Sequence, residues 1–237
     1  MVGESSGLAR SSREGAFWTH NDSGGLPELY ELDSRGTLLR TLPVPNAQNV
    51  DWEDLAQSPD GRLYIGDMGN NANQRRSLTI YTYSPEQQAT EAVMTYRYAD
   101  QTQFPPPPDQ QHFDCEALFY FQQNLYLFTK TRSKSNPLVK TYTLPARPGE
   151  YALLPTDSLY LKAQVTGADI SPDGSTFALL TYGKILLFEI QDQAINFKKP
   201  LGCIRFFKKQ TEGIVFLNNK DLLVTNEQGQ FFKLVRR

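Results

Sequence analysis

Five short segments of one pattern, spread along the whole chain, constrain its fold more than any other feature. They are Ser6-Gly7-Leu8-Ala9, Glu53-Asp54-Leu55-Ala56, Glu116-Ala117-Leu118-Phe119, Ala168-Asp169-Ile170-Ser171 and Glu212-Gly213-Ile214-Val215. Taking the third residue as anchor, the steps between Leu8, Leu55, Leu118, Ile170 and Ile214 lie near the ~40–50 residues of a four-stranded propeller blade. The step from Leu55 to Leu118 carries an insertion. Eleven residues beyond the anchors stand Thr19, Gly66, Thr129, Thr181 and Thr225, each closing an apolar run. Ser58-Pro59-Asp60-Gly61 and Ser171-Pro172-Asp173-Gly174 separate anchor from run. Proline pre-sets such a turn and glycine accepts its positive φ, so anchor and run read as a hairpin.

Third strands are expected at residues 29–32, 78–81, 138–142, 185–188 and 231–234, and fourth strands around 39–44, 93–98, 159–161 and 203–206. The prediction is an all-β, five-bladed β-propeller forming a single domain over residues 1–237. Its blades run about 4–50, 51–112, 113–164, 165–209 and 210–237. The last blade has no residues left for an outer strand, so either the natural chain begins further upstream or this blade is three-stranded.

Composition narrows the function classes. A net charge of −2 with scattered Lys and Arg leaves no basic footprint for nucleic acid or anionic lipid. No run approaches the ~18 apolar residues of a membrane span, and the first residues lack a signal-peptide core. Cys115 and Cys203 stand in unrelated contexts and read as two buried small apolar residues rather than a disulfide. Pro105-Pro106-Pro107-Pro108 favours a stiff polyproline II spacer on the surface. A monomer is expected.

In a propeller the first strand of each blade lines the channel. The loop entering it opens on the same face as the loop joining strands two and three. Two positional sets therefore converge on one rim. The first precedes the anchors: Glu53, Asp54, Glu116, Asp169 and Glu212, with Glu4, Asp51 and Asp114 just outside. The second follows the phased threonines: His20, Asn21, Asp22, Asp67, Lys130, Tyr182, Asn226 and Glu227, of which all but His20 are candidate ligand-binding residues. Clustered carboxylates repel, so they must be protonated, separated by water, paired with cations or bound to metal. All-oxygen ligands suit Ca²⁺ before Mg²⁺, with Glu53, Glu116, Asp169 and Glu212 as the candidate metal ligands. The plainer alternative is that these acids cap strand ends by accepting backbone N–H groups. Lys130 either balances the rim charge or grips an anionic substrate, and His20 suits proton transfer better than His112. Trp18 and Trp52 either stack on a ligand or pack the core. Gly3-Glu4-Ser5-Ser6-Gly7 matches a nucleophile elbow, but that motif needs a strand before and a helix after, and the repeat supplies neither.

The strings Trp18-Thr19-His20-Asn21-Asp22-Ser23-Gly24, Asp51-Trp52-Glu53-Asp54-Leu55-Ala56, Tyr64-Ile65-Gly66-Asp67, Phe113-Asp114-Cys115-Glu116-Ala117 and Thr211-Glu212-Gly213-Ile214 carry a resemblance. They resemble those of bacterial, largely uncharacterised exported propeller proteins, often hypothetical proteins or lipoproteins of Bacteroidetes. The resemblance covers nearly the whole chain and implies a periplasmic, cell-surface or secreted location without supplying a reaction. More distantly, the acids at blade starts are similar to those of calcium-dependent apyrases, five-bladed propellers with Ca²⁺ in the central channel. Gripping a nucleotide polyphosphate needs basic residues, and the sequence offers only Lys130, with Arg75 and Arg76. Two functional classes follow. One is a binding propeller whose acidic channel mouth holds a cation, Ca²⁺ favoured, and a small ligand. The other is a hydrolase, a metal-assisted phosphoesterase or a glycosidase, with Glu53, Glu116, Glu212 and His20 as catalytic candidates. A third, an interaction platform on the blade faces, has no specific residue behind it.

Overall fold

The structure, a computed structural model, describes residues 2–206, 210–226 and 228–235. Its strands form five small sheets, the five blades of a propeller. Blade one is β1 (Leu8–Arg10), β2 (Ala16–Thr19), β3 (Glu28–Asp33) and β4 (Leu38–Pro43). Blade two is β5 (Trp52–Gln57), β6 (Leu63–Asp67), β7 (Leu78–Ser84) and β8 (Ala89–Tyr98). Blade three begins with β9 (Cys115–Phe121), β10 (Asn124–Thr129) and β11 (Leu138–Pro145). The chain then leaves its own sheet. β12 (Gly149–Leu153) pairs in parallel with β8 of blade two, and β13 (Pro155–Tyr160) returns to pair with β11. Blade four is β14 (Val165–Ile170), β15 (Thr176–Thr181) and β16 (Lys184–Gln191), with β17 (Ala194–Ile195) and β18 (Gly202–Arg205) both on β16. Blade five is β19 (Thr211–Phe216), β20 (Leu222–Asn226) and β21 (Phe231–Leu234), three strands among the described residues.

Each anchor lies on the first strand of its blade, and each phased threonine or Gly66 lies at or next to the end of the second. The inner strands are buried on both faces, as β6 is along its whole length, because blades stack face to face. The apolar residues accordingly gather in five clusters, one per seam. Trp18, Leu42, Trp52 and Ile65 fill the seam between blades one and two, and Tyr64, Leu118 and Tyr142 the next. Phe119, Phe128 and Phe177 follow, then Leu180, Ile185 and Ile214. Leu8, Phe17, Val215 and Leu223 close the ring between blades five and one. Each such side chain fully withdrawn from water contributes about 1.5–3 kcal/mol.

Around the axis the first strands approach closely. A Cβ on Gly7 would stand 2.7 Å from the Leu55 nitrogen, and one on Gly167 2.5 Å from the Glu212 carbonyl oxygen. Asp54 fastens this centre. Its Oδ2 accepts the N–H groups of Leu118 at 3.0 Å and Ala168 at 3.1 Å, so one carboxylate of blade two ties the first strands of blades three and four. The first strands meet closely at that depth, and their acid-bearing ends gather above it as a cup of carboxylates at the channel mouth.

The structure corrects the detail of the repeat. Leu8 pairs with Thr19, but Leu55 pairs with Ile65, Leu118 with Leu127 and Ile170 with Phe177. The spacing of eleven therefore spans hairpins of unequal length. In blade four, Ala168 pairs with Leu179 as Leu118 pairs with Leu127, two residues short of the phased threonine in each case. Ala168, not Ile170, is the structural anchor, and Asp169 sits beyond the position expected of it. The cysteines are also only half as expected: both are free, Cys115 buried but Cys203 exposed. The proline run opens with a cis Phe104–Pro105 bond and ends in a 3-10 turn at Pro108–Gln110.

Candidate functional site

Where the first strand of a blade meets the second, the ladder skips. Register shifts occur between Trp52 and Asp54, around Cys115 and Thr129, between Val165 and Gly167, and between Thr211 and Ile214. The residues left out of the pairing are Glu53, Glu116, Thr166 and Glu212 with Gly213. A bulge turns its side chain out of the strand's alternation. The three glutamates of the repeat thus share one backbone device, and Thr166 holds that place in blade four. Its hydroxyl donates to the Thr211 carbonyl at 2.6 Å.

Two overlapping acidic groups result. Asp22, Asp51 and Glu53 each offer a carboxylate oxygen within 4.8 Å of the others, and so do Glu53, Asp114 and Glu116. A Cβ on Gly69 would fall 2.1 Å from Glu53 Oε1 and 2.3 Å from Asp51 Oδ2, so both oxygens converge on a place only a glycine leaves open. The inner group has its own cations. Lys130 Nζ donates to Glu116 Oε2 at 2.5 Å, Arg132 Nε to Asp114 Oδ2 at 2.5 Å, and Arg132 Nη2 to Glu116 Oε1 at 2.7 Å. Arg132 also bonds Asn71. Lys130 donates to the Tyr182 hydroxyl at 3.2 Å, and that hydroxyl donates to Glu212 Oε1 at 2.8 Å. The rim of blades three, four and five is a continuous hydrogen-bonded chain. Among the described residues, the outer trio of Asp22, Asp51 and Glu53 has no ion pair.

Burial and mutual repulsion set the proton affinities. Desolvation, helped by Asp22, raises the Asp51 carboxyl to about 6. Desolvation and then the Glu116 charge push Glu53 well above the carboxylate range. The same two causes lift Asp114 to about 8 against the pull of Arg132. Asp22 is raised too, chiefly by burial. Burial works against the Lys130 charge, but Glu116 and Glu212 outweigh it and hold its pKa above the ordinary lysine value. Protons and a divalent cation therefore compete for the outer trio, and binding a cation there displaces protons.

Of the four expected metal ligands, the structure brings Glu53 and Glu116 together and places Asp169 and Glu212 elsewhere. Asp169 accepts the Phe216 N–H at 2.7 Å, tying blade four to blade five as a strand cap. Glu212 joins the rim through Tyr182. Asp67 accepts the Asp51 N–H at 3.1 Å and pairs with Arg75 at 2.8 Å. Asn21 receives the Gly3 N–H at 2.9 Å, and Asn226 receives the Gln230 N–H at 2.9 Å, so both shape backbone. Glu227 lies outside the described residues. His20 is wholly buried, its Nδ1 bonded to the Asn21 carbonyl at 2.9 Å and its ring edge-on to Trp52. Desolvation lowers its pKa to about 4, so near neutral pH it is an uncharged wall residue. His112 bonds Thr131 at 3.0 Å, and both tryptophans pack the core. Sequence reasoning missed Arg132. Its signal was the spacing Lys130-Thr131-Arg132, since residues two apart in extended chain point the same way.

No family model matches the chain, and no curated protein matches it. Among solved structures it is similar to hydrazine synthase of Kuenenia stuttgartiensis, at 12% identity and a TM-score of 0.47. That alignment covers 95% of this chain and 56% of the other, so the chain spans about half the length of that protein. No helix among the described residues is long and apolar enough to cross a membrane.

Proposed function

We propose that this propeller binds a divalent cation, Ca²⁺ before Mg²⁺, at Asp22, Asp51 and Glu53 in the cup at its channel mouth, and presents it to a small ligand. One observation carries the reading: these three carboxylates converge with no ion pair among the described residues, while Asp114 and Glu116, beside them, are paired with Arg132 and Lys130. A set of oxygens drawn from two blades suits a hard ion of flexible coordination. Export to the cell envelope or beyond, where weak Ca²⁺ sites fill, fits the same reading. Titration calorimetry of the chelator-treated protein tests it. Ca²⁺ binding is expected, with proton release that grows from pH 8 to pH 6, and Glu53→Gln or Asp51→Asn weakens it by roughly tenfold or more. Absence of binding at ~10 mM Ca²⁺ would sink it.

A second reading is hydrolysis on the same carboxyls. Burial favours the acid form of Glu53, which lies within 4.8 Å of Glu116, and Glu116 pairs with Lys130 and Arg132. An acid beside a carboxylate is the pairing glycoside hydrolysis uses. A hydrolase screen of wild type against Glu116→Gln decides it, since equal rates eliminate the carboxylate mechanism.

A further inference from the structure

Beside the acidic cup, a cleft of about 1610 Å³ opens between blades three, four and five. Its wall carries Arg132, Lys134, Lys162, Lys184 and Arg205, with Tyr182 at the edge shared with the cup. No Asp or Glu stands among its described lining residues. This qualifies the expectation of scattered Lys and Arg, because the ring gathers cations from segments far apart in sequence. Arg132 is neutralised by Asp114 and Glu116, but the other four have no ion pair among the described residues.

The backbone adds a second, independent sign. Lys184 and Arg205 are direct cross-strand partners on the β16–β18 pair. Like charges at such positions lie about 4.5–5.5 Å apart at Cβ and destabilise a sheet. An edge strand carrying this repulsion into a cleft with no carboxylate among its described lining residues holds a place for an anion. A single carboxylate would meet one of four cations. A chain of phosphoryl groups concentrates several charges in the span of the cleft, and lysine ammonium groups bind phosphate as point charges. The volume exceeds the ~300–1,000 Å³ of ordinary ligand pockets, so an organic body attached to the phosphates fits as well.

The geometry points to a binding site for a multiply charged phosphoanion in this cleft, gripped by Lys134, Lys162, Lys184 and Arg205. The site does not depend on the proposed cation, so it is tested in EDTA with inorganic tripolyphosphate as the probe. Calorimetry is expected to give a dissociation constant below ~1 mM at low salt that weakens steeply at ~0.5 M NaCl. Lys162→Glu with Arg205→Glu, both exposed, lowers affinity at least tenfold, whereas Lys220→Glu on the far hairpin of blade five leaves it unchanged. A wild-type readout needs no variant. Cys203 lines the cleft and is exposed, while Cys115 is buried, so alkylation of Cys203 is slowed by tripolyphosphate. No binding at ~10 mM, or alkylation indifferent to tripolyphosphate, overturns the site. Equal affinity for citrate overturns the phosphoryl assignment. Failure of Ca²⁺ to bind the acidic cup would leave each of these outcomes as stated.

Discussion

Replacing Asp54 by alanine removes the acceptor that the Leu118 and Ala168 amides share, in a place with no solvent to take over. Each orphaned buried N–H costs about 1–3 kcal/mol, so Asp54→Ala is expected to lower unfolding free energy by roughly 2–5 kcal/mol. Asp54→Asn keeps one oxygen as acceptor and loses less. The midpoint of urea unfolding measures both, and an alanine variant as stable as wild type would contradict the stapling role. Gly69 makes the opposite kind of prediction. A methyl group there displaces the Asp51 and Glu53 oxygens, so Gly69→Ala should abolish Ca²⁺ binding by calorimetry while the circular dichroism spectrum stays that of wild type. At this scale the sequence was partly legible. Glu53 and Glu116 were found because the bulge repeats with the blade, and Asp114 because it stands before its anchor as Asp51 does, whereas Arg132 acts through a pairing that no repeat position marks.

Among the elements, the seam between blades five and one is the weakest. Among the described residues its apolar cluster is the smallest, and no strand is shared across it. Short polar contacts supplement it: Ser5 Oγ bonds Thr225 Oγ1 at 3.0 Å and Thr19 Oγ1 at 2.8 Å. Local opening follows low apolar burial. Amides of β1 and β19–β21 are therefore expected to exchange with deuterium faster than those of β9–β11 under native conditions. The strands themselves were readable, since turn residues and apolar runs are local features. Register was not. Ala168-Asp169-Ile170-Ser171 imitates Glu53-Asp54-Leu55-Ala56 in letters, but pairing across a hairpin depends on loop length, which set Ile170 opposite Phe177. The excursion of β12 onto β8 was equally hidden, because parallel partners need no turn between them.

For the whole molecule, the raised carboxyls fix how stability responds to pH. Asp51, near 6, and Asp114, near 8, keep protons in the folded chain that the unfolded chain has released by about pH 4–5. The folded state thus binds more protons. Their contribution is complete below the unfolded carboxylate range and is lost as pH rises through about 6 and then about 8. Metal-free protein should melt at progressively lower temperature from about pH 6.5, above the range in which the buried His20 opposes the trend, to pH 8, and Ca²⁺ should raise the melting temperature most at the upper end. A metal-free melting temperature that climbs over that range would contradict the assignment. The cleft was illegible at this scale for a plain reason: a net charge of −2 conceals a dipole, with carboxylates in the cup and, beside it, cations that have no ion pair among the described residues.

The parallel strand β12 has one more consequence. By lying on β8 while its neighbours β11 and β13 belong to blade three, it laces two blades with a single stretch of chain. Under a mechanical load applied at residues 2 and 235, the ring should tear first where its first and last blades meet. Blades two and three should resist together as one unit, visible in a force trace as a final, higher rupture.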